Sequence, residues 1–330
     1  MKFLSIVFLF LTCFKIQAQD VTIHAKSLPL NPEYSVKFNH YELFEIDLAT
    51  VIHQIAHSPR SSINLDLVLG NKSYLLQVDK FDVIRPGTKV RVASANGIQD
   101  LDVDPSIETY RGYNSNFRGR SAAITIAKNY LNIMFQEGEE TYYFEQVPVD
   151  FKNRNLNQFV LYDSKGYKVS ENFKCSAEAL GEFRENHKVD SSPVVSRNQR
   201  CWEMEIALAA DNAIHVSYGN DVLATEARLT TIVNLMQVDW LVPIALSDYI
   251  WTITTFFVAA DLPHDPWRNA GSINQMLTIL SNVAPSIFIG GFDVGVVWTD
   301  KFNRGTPYAA SQSGMCTFSP YAACSEFTRA

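Results

Sequence analysis

Residues 201–211 read CWEMEIALAAD. Between Trp202 and Ala210 the run is apolar except for its two glutamates, and Asp211 closes it. A short, largely apolar run of this kind fits a strand buried on both faces, as in a parallel sheet. Residues 221–241 follow with a helical period. Leu223, Ala227, Ile232, Leu235, Met236 and Trp240 recur at spacings that share one face. Residues 241–260 are long enough to cross a bilayer, but Asp248 lies near their middle. A charge there costs ~2.5–3.5 kcal/mol on insertion scales. Pro243 and Ser247-Asp248 also interrupt the run, so it reads as two buried strands with a turn, and no transmembrane span is expected beyond the N-terminal leader. Gly271-Ser272 opens a second helix, with Ser272 as N-cap and Ile273, Met276, Leu277 and Leu280 as its buried stripe. Residues 292–298 and 308–315 read as extended. Strands alternating with helices predict an α/β unit with a largely parallel sheet.

Upstream the pattern changes. Residues 181–200, GEFRENHKVDSSPVVSRNQR, are polar and charged around a Ser-Ser-Pro break and read as an exposed linker. Arg197 and Arg200 are its candidate processing positions. Residues 20–170 read as β-rich. Segments 63–69, 73–78, 122–126, 130–136 and 142–144 are the expected strands, with Gly70-Asn71, Pro86-Gly87 and Gly138 as turns. Only residues 48–57 read as a helix. They place His53 and His57 four apart, a spacing that could hold one metal ion. Gln54 stands where a general base would be needed, so a helix face is the expected role. At the start, Lys2, the apolar run 3–14 and Ala18 form a secretory signal. The rest of the chain is expected to be secreted or extracytoplasmic. Cys13 apart, Cys175, Cys201, Cys316 and Cys324 allow three disulfide pairings.

The 330 residues suggest two domains, and 47% hydrophobic against 19% charged residues excludes wholesale disorder. A net charge of −7 leaves no basic excess for phosphates, so no nucleic-acid partner is expected. The 21 Phe and 14 Tyr lean towards β-structure. The sequence contains no G-x-S-x-G elbow, no Walker A loop, no dinucleotide-binding glycine motif and no H-E-x-x-H.

The order of several short motifs carries a resemblance. Glu205-Ile206-Ala207-Leu208-Ala209-Ala210-Asp211 is followed by Tyr218-Gly219 and by Ile232-Val233-Asn234. Asp265-Pro266-Trp267, then Phe292-Asp293-Val294-Gly295-Val296-Val297, then Gly314-Met315-Cys316 come later. This succession resembles the opening of the catalytic domain of reprolysin-like (M12-type, metzincin) zinc metalloproteases of the secreted bacterial branch. Tyr110-Arg111-Gly112, Arg120-Ser121-Ala122 and Gly138-Glu139-Glu140-Thr141-Tyr142-Tyr143 are similar to that family's propeptide.

The resemblance implies an α+β chain: signal peptide 1–18, β-rich propeptide domain 19–180, linker 181–200, and a partial α/β metzincin-like (zincin) catalytic domain 201–330. It implies a secreted zinc metalloendopeptidase in zymogen form, acting on peptide or protein substrates. The family's H-E-x-x-H-x-x-G-x-x-H should lie beyond the G-x-x-C element. Residues 1–330 do not contain it, so no catalytic or zinc-binding residue is assigned, zinc is expected only in a full-length protein, and a gene fragment is expected rather than a degenerate paralogue. Glu205 and Asp293 match the family's calcium positions, with metal-free edge carboxylates as the other reading. Cys175 is a candidate cysteine switch or a disulfide partner of Cys201. Tyr308, Ala309, Ala310, Ser311 and Gly314 are the candidate substrate-edge strand. The alternative function is an exported, non-enzymatic binding or adhesion protein with a protease-like C-terminal unit.

Overall fold

The computed structural model describes residues 19–56, 61–117, 121–147, 155–166, 168, 202–238, 249–301, 309–311 and 321–325. The first part supplies β1 (Gln19–Leu28), β2 (Glu42–Glu45), α1 (Leu48–Ala56), β3 (Ser62–Leu69), β4 (Lys72–Lys80), β5 (Ile84–Ser94), β6 (Gly97–Asp102) and β7 (Glu108–Asn114). It continues with β8 (Ser121–Ala127), β9 (Tyr130–Glu137), β10 (Glu140–Gln146) and β11 (Gln158–Asp163). The second part adds β12 (Trp202–Ala210), α2 (Asn212–Ser217), α3 (Val222–Met236), β13 (Tyr249–Ala259), α4 (Ile273–Ile287), β14 (Val294–Thr299), β15 (Ala309–Ser311) and β16 (Tyr321–Ser325).

Nine strands close into a barrel in the order β1-β2-β11-β10-β9-β8-β7-β4-β3. Strict alternation explains its inner wall. In β3, Ile63, Leu65, Leu67 and Leu69 are buried while their neighbours are half-exposed. Gly70, at φ 59°, lets β3 turn directly into β4. The interior is packed rather than hollow. Ile23, Leu65, Leu76, Ile124, Ile133, Phe135 and Phe144 meet Leu48, Val51 and Ile55 of α1 in one cluster. Unlike β3, β8 is buried on both sides from Ala122 to Ala127. Its outer face is covered by α3, which packs on β7, β8 and β9.

The second sheet runs β15-β16-β14-β12-β13-β5-β6. Its five inner strands are parallel, and β15 and β6 are antiparallel edges. Leu229 and Val233 of α3 cover one face. Met276, Leu277, Leu280 and Ala284 of α4 cover the other. Asp221 and Ser272 cap the two helices, each accepting from backbone N–H groups of the first turn.

This architecture corrects the expected fold class. An α+β chain with a β-rich propeptide and a separate α/β metzincin-like domain is not what forms. The described residues are mostly β, 49% strand against 24% helix, and they contain a closed nine-stranded barrel. Nor is the second sheet made from residues after 201 alone. β5 pairs in parallel with β13, so the β5–β6 hairpin extends that sheet from within the N-terminal half. The physical reason is that a hairpin's own sequence sets its turn and its alternation but not the sheet edge it joins. Here Val90 and Val92 are apolar on the side that meets Ile206, Leu208 and Val258.

Two smaller expectations change with it. Pro86-Gly87 is not a turn between strands. It lies in a bulge of β5, where pairing steps from Ile84↔Ile253 to Lys89↔Thr255 and Gly87 takes φ 86°. Helix α3 does not have a single buried face. Thr225, Glu226, Arg228, Thr230, Thr231 and Asn234 are buried along with Leu229 and Val233, because the helix is enclosed between sheet and barrel.

Candidate functional site

Three polar constellations stand out, two within the second sheet and one where its helix α3 meets the barrel. The first joins the two carboxylates expected at a calcium position. The Glu205 N–H donates to Asp293 Oδ2 at 2.9 Å, and the Asp293 N–H donates to the Glu205 carbonyl at 2.7 Å. The two residues are therefore neighbours at one level of the sheet. The Glu205 carboxylate, however, is ion-paired with Arg85 from the β5 bulge. Calcium prefers six to eight oxygens. Among the described residues no group of three His, Cys, Asp or Glu converges to hold a metal. A pair of carboxylates, one already bound to a guanidinium, does not fit a calcium ion, and no described set fits zinc.

The second constellation lies where the parallel strands end. Asp211 follows β12, Thr299 ends β14, and Asp265 follows β13 by a short 3-10 turn. Asp211 Oδ1 accepts from the Ile214 N–H at 3.0 Å, capping α2, and Oδ2 accepts from Thr299 Oγ1 at 2.6 Å. Lys301 Nζ lies 3.1 Å from Asp265 and 3.6 Å from Asp211, and it also donates to the Trp267 carbonyl at 2.6 Å. Burial pushes the Asp211 carboxyl up to about 7. The carboxyl ends of parallel strands are where α/β sheets place their ligands. Here both carboxylates are fully enclosed, and the cluster ties three strand ends together.

The third is the contact between α3 and the barrel wall. Asn234 Oδ1 accepts from Arg111 Nε at 2.8 Å, and Nδ2 donates to the Ile124 carbonyl at 3.1 Å and to Thr125 Oγ1 at 3.2 Å. The Arg111 guanidinium lies 3.8 Å above the Phe81 ring, and burial pulls its pKa down to about 9. Further along, Arg228 pairs with Glu145 at 3.4 Å, and Glu145 also accepts from Tyr162 and Asn132. Tyr130 bonds to Thr231 at 3.0 Å. A cavity of about 160 Å³ beside this contact is lined in part by Tyr130, Glu145, Tyr218 and Arg228.

Of the residues singled out in the sequence, Ala309, Ala310 and Ser311 form β15, antiparallel to β16 at the sheet edge. His53 lies on α1. The signal segment 1–18, Cys175, Arg197, Arg200, Tyr308, Gly314 and the 181–200 linker lie outside the described residues. Arg85, Glu145, Glu226 and Lys301 carry no sequence motif. Glu145 and Glu226 are marked out by being charged and buried, and Arg85 and Lys301 by the ion pairs they make in the fold.

Neither a family model nor a curated protein sequence matches this chain. Among solved structures, the crystal structure of metalloproteinase-II from Bacteroides fragilis aligns with 84% of this chain and 80% of that one, at 12% identity and a TM-score of 0.42.

Proposed function

We propose that this chain is the precursor form of a secreted, metalloendopeptidase-type protein, in which the N-terminal barrel unit templates and holds the unit that follows it. The observation that carries the reading is the shared sheet. The parallel strand β13 has β12 on one side and β5 on the other, so residues 84–102 complete a sheet whose other strands come after residue 201. Val83, Val90 and Val92 are part of the same apolar cluster as Leu229, Val233 and Phe256. The motif order in residues 201–316 supports the protease-type assignment. Residues 1–330 contain no H-E-x-x-H, so no hydrolytic step is assigned to a side chain of this chain. Its own residues do the holding: Arg85 neutralises Glu205, and Arg111, Asn234, Glu145 and Arg228 set the barrel on α3.

The alternative, an exported non-enzymatic binding or adhesion protein, would need its binding surface outside the barrel, since the inward side chains and α1 fill the interior. The test is to replace residues 84–102 by a short Gly/Ser turn in the full chain and follow protease protection by mass spectrometry. The expected result is loss of protection across residues 202–301 with the barrel strands still protected. Unchanged protection of residues 202–301 would overturn the reading.

A further inference from the structure

Residues 103–107 form a strap between β6 and β7, the joint through which the chain returns from the hairpin to the barrel. Asp104 organises it. Its side chain accepts from the Ser106 N–H at 2.8 Å, and its carbonyl accepts from the Ile107 N–H at 3.1 Å. The Lys128 N–H then bonds to Ser106 Oγ at 3.2 Å, fastening the strap to the turn after β8. Against this strap lies Glu226 of α3, 2% exposed. Its carboxyl accepts from the Asp104 N–H, while Oε1 is buried with no hydrogen-bond partner among the described residues.

We propose that Glu226 is a pH-sensitive latch between α3 and the strap, closed in mildly acidic solution and loosened as the solution becomes alkaline. The inference rests on the templating role given above and names its regulation. The geometry requires a neutral group. A carboxylate here would be enclosed beside Asp104, with one oxygen unpaired and no ion pair among the described residues. A protonated carboxyl keeps the Asp104 N–H bond and leaves only a hydroxyl unsatisfied. Burial, with Asp104 beside it, pushes the group up to about 8.

The other charged groups around α3 are arranged differently. Arg111 faces Asn234, two turns away, and titrates nearer 9. Glu145 and Arg228 neutralise each other. Tyr130 is pushed above its ordinary value of 10, outside the window. His215 of α2 bonds to Thr225 within the same unit, so opening the strap leaves its contact in place.

The sign follows from linkage. Closing the latch takes up a proton whenever the open form is ionised and the closed form is not. The closed state is therefore fully favoured below about 4.5, loses up to about tenfold per pH unit between there and about 8, and levels off above.

The test is amide exchange of residues 103–107 and of the first turns of α3 in the full chain from pH 5 to 9, corrected for intrinsic exchange. Wild type should open more readily with each unit up to about pH 8, by tenfold at most. Glu226→Gln, which keeps the acceptor for Asp104, should stay closed and flat across the range. Asp104→Asn should move the transition to lower pH. A flat wild-type profile, or a Glu226→Gln profile as steep as wild type, would overturn the latch. Neither result depends on the hairpin replacement, which tests the templating role separately.

Discussion

Every hydrogen bond of the Asn234 side chain reaches across to the barrel, to Arg111, Tyr110, Ile124 and Thr125. Truncation leaves a buried arginine without its acceptor. Asn234→Ala should therefore cost ~2–4 kcal/mol in urea unfolding, more than an average substitution. A loss below about 1 kcal/mol would mean that water takes the place of the amide. Asp211 gives a second test at this scale. Its carboxyl is held near 7, against ~3.9 for a free aspartate. The neutral form is favoured in the folded chain, so this contribution to stability is whole below about pH 4 and disappears as pH rises through about 7. Asp211→Asn, which keeps an acceptor for the Ile214 N–H, should flatten part of the fall in stability between pH 4 and pH 7. An identical slope in the variant would show that Asp211 is ionised when folded.

Within the barrel, strand pairing depends on Gly112 more than on any turn glycine. A Cβ built there would lie 1.9 Å from the Gln77 carbonyl oxygen and 2.7 Å from Val78 Cα, so β7 could not stay paired with β4. Gly138 has φ 63° but open space around it. Gly112→Ala should lower stability by ~3–5 kcal/mol. Gly138→Ala should lower it by only ~1–2 kcal/mol, the cost of a left-handed backbone. Equal urea midpoints for the two would show that β7 shifts to make room. Most elements were legible at this scale. The alternation in residues 63–69 and the apolar run in 202–210 predict β3 and β12, and Ser272 caps α4 as read. The helical period of 221–241 predicts α3 but not its enclosure. Glu226, Arg228, Thr231 and Asn234 look like a solvent face in a periodic pattern, because periodicity cannot tell water from a polar protein surface.

At the scale of the whole molecule, the shared sheet makes a prediction about the pieces. Residues 202–330 expressed alone would lack β5 beside β13 and the barrel over α3. With burial worth ~25 cal/mol per Å², losing a few hundred Å² of cover forfeits roughly 5–10 kcal/mol. That is comparable to a domain's whole stability of ~5–15 kcal/mol. The fragment should bind a hydrophobic dye and melt without cooperativity. A sharp melt with dispersed amide signals would show instead that these residues hold their fold unaided.

The amino-acid sequence by itself determined elements such as β3, β12, α1 and α4, the Ser272 cap, the Gly70 and Gly138 turns, and which residues could be apolar core. These follow from periodicities of 2 and 3.6 and from backbone chemistry that acts within a few residues. The motif order from Glu205 to Cys316 was likewise readable as a resemblance. Tertiary structure alone decided which edge the β5–β6 hairpin joins, that Arg85 pairs with Glu205, and that Glu226 lies against Asp104 with a free oxygen. Residues 85 and 205, or 104 and 226, are more than a hundred positions apart. Their meeting depends on how the closed barrel, the hairpin and the parallel sheet pack together, and no local pattern records that packing.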